Sequence, residues 1–277
     1  MTPPAGKALR RVRRTVSAAA LACLAAAVFA CTCDAIPSGP AVRKTYTVVN
    51  KHPHDPEAFT QGLLWHDGRL YESTGLKGAS TVREVSLEDG KVLRSRALGG
   101  QYFGEGLACD GDRLVQLTWQ HGKGFVYRRE TFEPVSEFSY LGEGWGLTFD
   151  GSRFILSDGT SNLRFLDPET FAVVKTVQVT SGGKPVGRLN ELEWVEGRIY
   201  ANIWQEDIIA VIVPDTGEVE AWIDLTGILT PEDRAGHRVD VLNGIAYDPA
   251  TKRLWVTGKE WPVLYEITTR DLPAAAE

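Results

Sequence analysis

A three-residue motif recurs five times along this chain, each time a polar or aromatic residue, then Gly or Glu, then Leu or Ile. The copies are Gln61-Gly62-Leu63, Glu105-Gly106-Leu107, Trp145-Gly146-Leu147, Asn190-Glu191-Leu192 and Asn243-Gly244-Ile245. A turn and a second strand follow each copy, with an Arg at a matching place: Arg69, Arg113, Arg153, Arg198 and Arg253. Successive Leu/Ile positions lie 44, 40, 45 and 53 residues apart. A period near 45 with several short strands per unit predicts an all-β fold, a five-bladed β-propeller. Equivalent positions of the units then converge on one channel. The leading residues Gln61, Glu105, Trp145, Asn190 and Asn243 form a ring there, in which Glu105 is the single ionisable member.

The strand pattern agrees. In the third unit, Trp145–Phe149 reads as one strand, Asp150-Gly151-Ser152 as a turn and Arg153–Ser157 as the second strand. Asn162–Leu166, the turn at Asp167-Pro168-Glu169-Thr170 and Val173–Val179 complete it; Asp-Gly and Asp-Pro pairs punctuate strands through their turn chemistry. The fifth unit stops after Val263–Ile267 with no outer strand of its own. Thr45–Asn50 supplies a spare strand, expected to pair into the last blade and so remove an open sheet edge. The one helical turn expected lies near Pro231–Ala235.

The chain has 277 residues, 43% of them hydrophobic, enough for one buried core. Residues 1–30 read as a bacterial export signal: Lys7, Arg10, Arg11, Arg13 and Arg14 precede an apolar run, Val16–Ala30, too short for a comfortable bilayer span. Val28-Phe29-Ala30-Cys31 resembles a lipoprotein cleavage box, while ordinary signal cleavage is the other reading. On the first, a lipidated Cys31 and residues 31–44 tether a domain at 45–277 to a membrane. The expected location is periplasmic or membrane-anchored. Five of the 30 basic residues and none of the 36 acidic ones lie in that leader, so the remainder carries a net charge of −11. An acidic surface argues against a nucleic-acid partner. Cys109 is the lone domain cysteine, and neither cysteine nor histidine spacing suggests a metal centre.

Six residues after each matched Arg come Gly75, Trp119, Gly159, Trp204 and Lys259, at the ends of the second strands. Together the two rings offer three indoles, one carboxyl, several amides and one amine, the composition of a small-ligand pocket. Each also has a plainer reading: indoles pack between blades, Asn190 and Asn243 tie strand ends, and Lys259 belongs to a solvated face. A carboxyl facing a channel of indoles is the hardest of these to explain as packing. A peptide- or sugar-binding propeller without catalysis, and a glycosidase or lactonase, are the competing functions; the last two need more acids than this ring holds.

The strings His54-Asp55-Pro56-Glu57-Ala58-Phe59-Thr60-Gln61-Gly62-Leu63, Phe103-Gly104-Glu105-Gly106-Leu107, Leu117-Thr118-Trp119, Gly144-Trp145-Gly146-Leu147, Leu189-Asn190-Glu191-Leu192-Glu193-Trp194, Ile203-Trp204 and Asn243-Gly244-Ile245-Ala246 resemble the glutamine cyclotransferase family of plants and bacteria. The resemblance runs from Tyr46 to Ile267. It implies a five-bladed propeller that converts an N-terminal glutaminyl residue of a peptide to 5-oxoproline with loss of ammonia. It also implies Glu105 as the acid/base, with Gln61, Phe103, Trp119, Trp145, Asn190, Trp204 and Lys259 around the substrate. The partners so implied are peptides or proteins beginning with Gln, with no cofactor required; a monomer is expected, although the sequence itself is silent on oligomeric state. Some relatives hold a calcium ion in the channel, and the sequence leaves that open here.

Overall fold

The repeat motif marks the places where the chain passes closest to itself. The computed structural model describes residues 41–272, and these are strands and turns with one short helix. The export signal, Cys31 and the last five residues lie outside the described residues. Strand β1 (Val42–Pro53) comes first. Three antiparallel four-strand sheets follow in chain order. They are β2 (Thr60–His66), β3 (Arg69–Thr74), β4 (Thr81–Val85) and β5 (Val92–Ala97), then β6 (Gly104–Cys109), β7 (Arg113–Thr118), β8 (Lys123–Arg128) and β9 (Pro134–Ser139), then β10 (Leu147–Phe149), β11 (Phe154–Ser157), β12 (Asn162–Leu166) and β13 (Val173–Gln178). A small hairpin, β14 (Thr180–Ser181) and β15 (Lys184–Pro185), leads to β16 (Leu189–Val195), β17 (Arg198–Ile203), β18 (Ile208–Ile212) and β19 (Val219–Asp224). Helix α1 (Pro231–Arg234) precedes β20 (Leu242–Asp248), β21 (Arg253–Gly258) and β22 (Val263–Asp271).

The last two strand groups share one sheet of order β16-β17-β18-β19-β1-β22-β21-β20. Strand β1 joins them. It is antiparallel to β22 from Lys44↔Asp271 to Pro53↔Val263, and its first four residues also run parallel to β19. The strand predicted at Thr45–Asn50 is therefore longer at both ends. Helix α1 is capped by Thr230, whose Oγ1 accepts the Asp233 N–H at 3.1 Å.

The first strand of each group touches the next in the cyclic order β2, β6, β10, β16, β20 and back to β2. At the motif these strands approach to backbone contact. A Cβ on Gly62 would stand 2.5 Å from Leu107 N, one on Gly106 2.4 Å from Leu147 N, and one on Gly146 2.0 Å from Asn190 O. Glycine is required there because no side chain fits. In the fourth copy Glu191 replaces it and sends its side chain across the axis. Its Oε1 accepts the Leu63 N–H at 3.2 Å and its Oε2 accepts the Ile245 N–H at 3.0 Å.

The pairing register of β2, β6, β16 and β20 slips at the motif, between Thr60 and Gly62, Gly104 and Leu107, Leu189 and Leu192, and Leu242 and Ile245. Such β-bulges re-aim the side chain beside them. In the third group pairing starts only at Leu147, so the strand predicted from Trp145 is shorter; there the Ser157 hydroxyl and carbonyl take the Gly146 and Trp145 N–H groups. The matched Arg residues serve the surface: Arg113 and Arg153 pair with the turn carboxylates Asp110 and Asp150, and Arg253 with Glu266. Apolar residues fill the space between sheets. Leu63, Leu70 and Val85 of the first group pack with Ala246, Trp255 and Leu264 of the last.

The segment that delivers Phe59 and Gln61 is pinned by a buried ionic network. His54 faces the Trp261 carbonyl with Nδ1 (2.6 Å) and Glu72 Oε1 with Nε2 (3.1 Å). Both partners accept, so the ring is an imidazolium. Glu72 also accepts from Thr60 Oγ1 (2.6 Å) and from Arg83 Nε (2.8 Å), and Arg83 continues to Asp55 (2.9 Å). His54 is 5% exposed. Burial opposes the charge of both His54 and Glu72. Arg83, His54 and Thr60 nevertheless bring Glu72 down to about 2, while the carboxylate and the Trp261 carbonyl raise His54.

Two outcomes follow for stability. Glu72→Ala leaves two buried cations without their partner and should cost about 3–5 kcal/mol in urea unfolding. Glu72 contributes stability above its ordinary 4.5 that is lost as pH falls toward 2; His54 contributes below its ordinary 6.5 and loses that contribution as pH rises through its raised value. Unfolding free energies measured across pH should fall on both sides of that window, and the alkaline decline should be absent in His54→Gln.

Candidate functional site

Four of the five ring residues meet at one cavity of about 360 Å³, Gln61, Glu105 and Asn190 from bulged strands and Trp145 from just before a strand whose pairing begins at Leu147. Gln61, Glu105, Trp145 and Asn190 line it, joined from the second ring by Trp119, Trp204 and Lys259, and by Phe103. All eight residues singled out from the sequence therefore meet. Asn243 does not line the cavity; fully buried, it donates through Nδ2 to Thr60 O (3.0 Å) and to Gln61 Oε1 (3.2 Å). That bond fixes the Gln61 amide, whose Nε2 donates to Glu105 Oε1 at 3.1 Å. Glu105 Oε2 has no hydrogen-bond partner among the described residues.

The two second-ring glycines make room for neighbours. A Cβ on Gly75 would lie 2.4 Å from the Phe103 ring, and one on Gly159 2.7 Å from the Trp145 indole. Phe59 and Phe103 meet edge to face (6.0 Å between centroids), as do Phe103 and Trp119 (5.7 Å) and Trp145 and Trp204 (5.5 Å). Trp204 is the outermost, 36% exposed.

Sequence reasoning missed Phe59, Gln205, Asp240 and Val241 on the cavity wall. Two of them were within reach. Phe59 and Val241 stand two residues before ring members Gln61 and Asn243, as Phe103 stands two before Glu105. Backbone bonds join this level to the second ring: Gly75, Trp119, Trp204 and Lys259 donate N–H to the carbonyls of Phe59, Phe103, Arg188 and Val241. Gln205 and Asp240 come from turns with no repeat position.

Electrostatically the cavity holds an acid and a base, each pushed toward neutrality. Burial drives the Glu105 pKa well above the carboxylate range; Lys259 holds it back and Glu143 adds to the rise. Burial also lowers the Lys259 pKa, against the attraction of Glu105 and Asp240. Its Nζ lies 4.9 Å from the centre of the Phe59 ring. A carboxyl whose pKa burial has raised, with one oxygen anchored by Gln61, can accept and return a proton within an aromatic pocket.

Known proteins carry the same framework. The model of the glutamine cyclotransferase family matches residues 16–269. Glutaminyl-peptide cyclotransferase of Arabidopsis thaliana is 45% identical over 230 residues, 82% of this chain and 72% of that protein. The crystal structure of Myxococcus xanthus glutaminyl cyclase superposes with a TM-score of 0.79 at 40% identity, covering 84% of this chain and 100% of that one. With the motif strings, the cavity they build and these two relatives in agreement, the chain belongs to the glutamine cyclotransferase family.

Proposed function

We propose that this cavity cyclises the N-terminal glutaminyl residue of peptides, with Glu105 as the single acid/base. The function is that of a glutaminyl-peptide cyclotransferase, as in the Arabidopsis relative. One observation carries the assignment to Glu105: a buried carboxyl, 4% exposed, that lines the cavity together with three indoles and has its Oε1 held by Gln61.

The two reacting groups belong to one residue, so the pocket's task is to fold a side chain and move a proton. The neutral α-amine attacks the γ-carbonyl carbon and a C–N bond forms. Glu105 takes the proton released by that nitrogen. As the tetrahedral carbon collapses, the bond to the amide nitrogen breaks, Glu105 returns the proton to it, and ammonia departs. Protons balance, and the carboxylate is regenerated. Asn190, 2% exposed, and Lys259, 5% exposed, supply donors for substrate carbonyls and for the oxyanion. The indoles and the two Phe rings exclude water around the folded side chain.

We infer that the fold is a five-bladed propeller. Supporting this are five first strands in cyclic contact and four-strand groups, the last of which borrows β1. Residues 1–30 support an exported enzyme, with Cys31 as the candidate lipid attachment. Among the described residues no three His, Cys, Asp or Glu side chains are grouped to hold a metal, and both Glu191 oxygens already accept backbone N–H groups.

Ammonia release from a glutaminyl dipeptide tests the reading directly. Glu105→Gln should lower kcat by about 10²–10⁴-fold while leaving fold and peptide affinity in place; near-normal turnover would remove Glu105 from the mechanism. The acidic limb of the kcat/KM profile should reflect Glu105 and the substrate amine, which titrates near ~7.7–8.0. Lys259→Met takes away the charge that holds the Glu105 pKa down. The Glu105 limb should therefore move to higher pH in that variant, and a shift in the acid direction would contradict the pairing.

A further inference from the structure

We propose that Glu143 is a positioning residue that joins the two halves of the cavity's aromatic wall by holding the Trp119 and Trp145 indoles on one carboxylate oxygen. Glu143 does not line the cavity. Trp119 Nε1 and Trp145 Nε1 both donate to its Oε2, each at 2.8 Å, and Gln120 Nε2 donates to its Oε1 at 3.2 Å. An indole N–H has no other way to be satisfied than an acceptor in its plane. Here one oxygen with two lone pairs serves two rings, one following β7 and one preceding β10.

The consequence is an arc of five rings. Phe59 meets Phe103, Phe103 meets Trp119, and Trp145 meets Trp204, all edge to face. No such contact joins Trp119 to Trp145. Glu143 is the link between them. It occupies the level two residues before the ring, where the other units place Phe59, Phe103, Arg188 and Val241. Its own segment is braced from behind. Arg164 donates to the carbonyls of Leu141 (2.6 Å) and Glu143 (2.9 Å), and the Gly144 N–H reaches Trp119 O at 3.1 Å. The carboxylate is kept ionised: burial works against the charge, but donation from Trp145, Gln120 and Trp119 outweighs it and lowers the pKa.

The proposal rests on the cyclisation reading for its activity readout, and has an independent spectroscopic one. Glu143→Ala and Glu143→Gln are compared with wild type as full chains, using ammonia release from a glutaminyl dipeptide and intrinsic tryptophan emission with acrylamide quenching. In Glu143→Ala, kcat/KM should fall by about ten-fold or more, and emission should shift to longer wavelength with greater quenching. Glu143→Gln keeps an acceptor for the indoles and should recover most of both changes. Values of kcat/KM within about two-fold of wild type in Glu143→Ala, or unchanged emission and quenching there, would overturn the proposal. So would a Glu143→Gln variant no better than the alanine one. Should Glu143→Ala fail to fold, Glu143→Gln decides: wild-type-like emission with a modest loss of rate supports the role, and a loss beyond about ten-fold refutes it. A wild-type enzyme that releases no ammonia would sink the cyclisation reading alone, and the emission measurements would then judge Glu143 by themselves.

Discussion

Everything in this molecule is organised by how closely its first strands crowd the axis. At Gly62, Gly106 and Gly146 the backbone of one unit lies where a Cβ of another would have to be. In four of the five groups the pairing register also slips at this point, and such bulges re-aim the side chain beside them. Gln61, Glu105 and Asn190 reach the common cavity from bulged strands, and Trp145 reaches it ahead of the regular pairing of β10. A repeated glycine, with no chemistry of its own, thus determines where the chemistry sits. Glu191 answers the same crowding differently. Its carboxylate bonds to free N–H groups of β2 and β20 at the axis, although burial and the nearby Glu193 push its pKa well up against them.

Enclosure also fixes the electrostatics. Burial is the dominant cause of both shifts in the cavity, upward at Glu105 and downward at Lys259. Neither group needs an elaborate set of partners to be tuned, only exclusion from water, and the rings supply that. The chain Asn243–Gln61–Glu105 adds direction: each amide is fixed by the one behind it, so the acid presents a defined oxygen. By contrast the His54–Glu72–Arg83–Asp55 network is strongly paired and keeps its charges. It ties the segment before Phe59 to Trp261.

Periodicity alone makes the two rings legible: Gln61, Glu105, Trp145 and Asn190 at one offset, Trp119, Trp204 and Lys259 at another. The β1 closure follows from a missing fourth strand, although its length does not. What stays hidden in the sequence has a common character. Glu143 and His54 act through partners brought near by folding, and Glu191 reads as a failed glycine until its oxygens are seen on Leu63 and Ile245. Asp240 and Gln205 sit in turns that the repeat does not constrain. A third offset, two residues before the first ring, would have found Phe59 and Val241.

Strand β1 has one more implication, for the order of events. A ribosome delivers β1 before every other described element, yet its partners β19 and β22 come late, and β22 is the final strand. The nascent ring must therefore stay open until synthesis of the described chain ends. Its first-made strand waits with both edges unpaired for contacts of the greatest sequence separation in the molecule. Such topology folds slowly and leaves a sticky edge in the meantime. The charged residues Arg43, Lys44 and Lys51 along β1 are suited to guard that edge against the wrong neighbour.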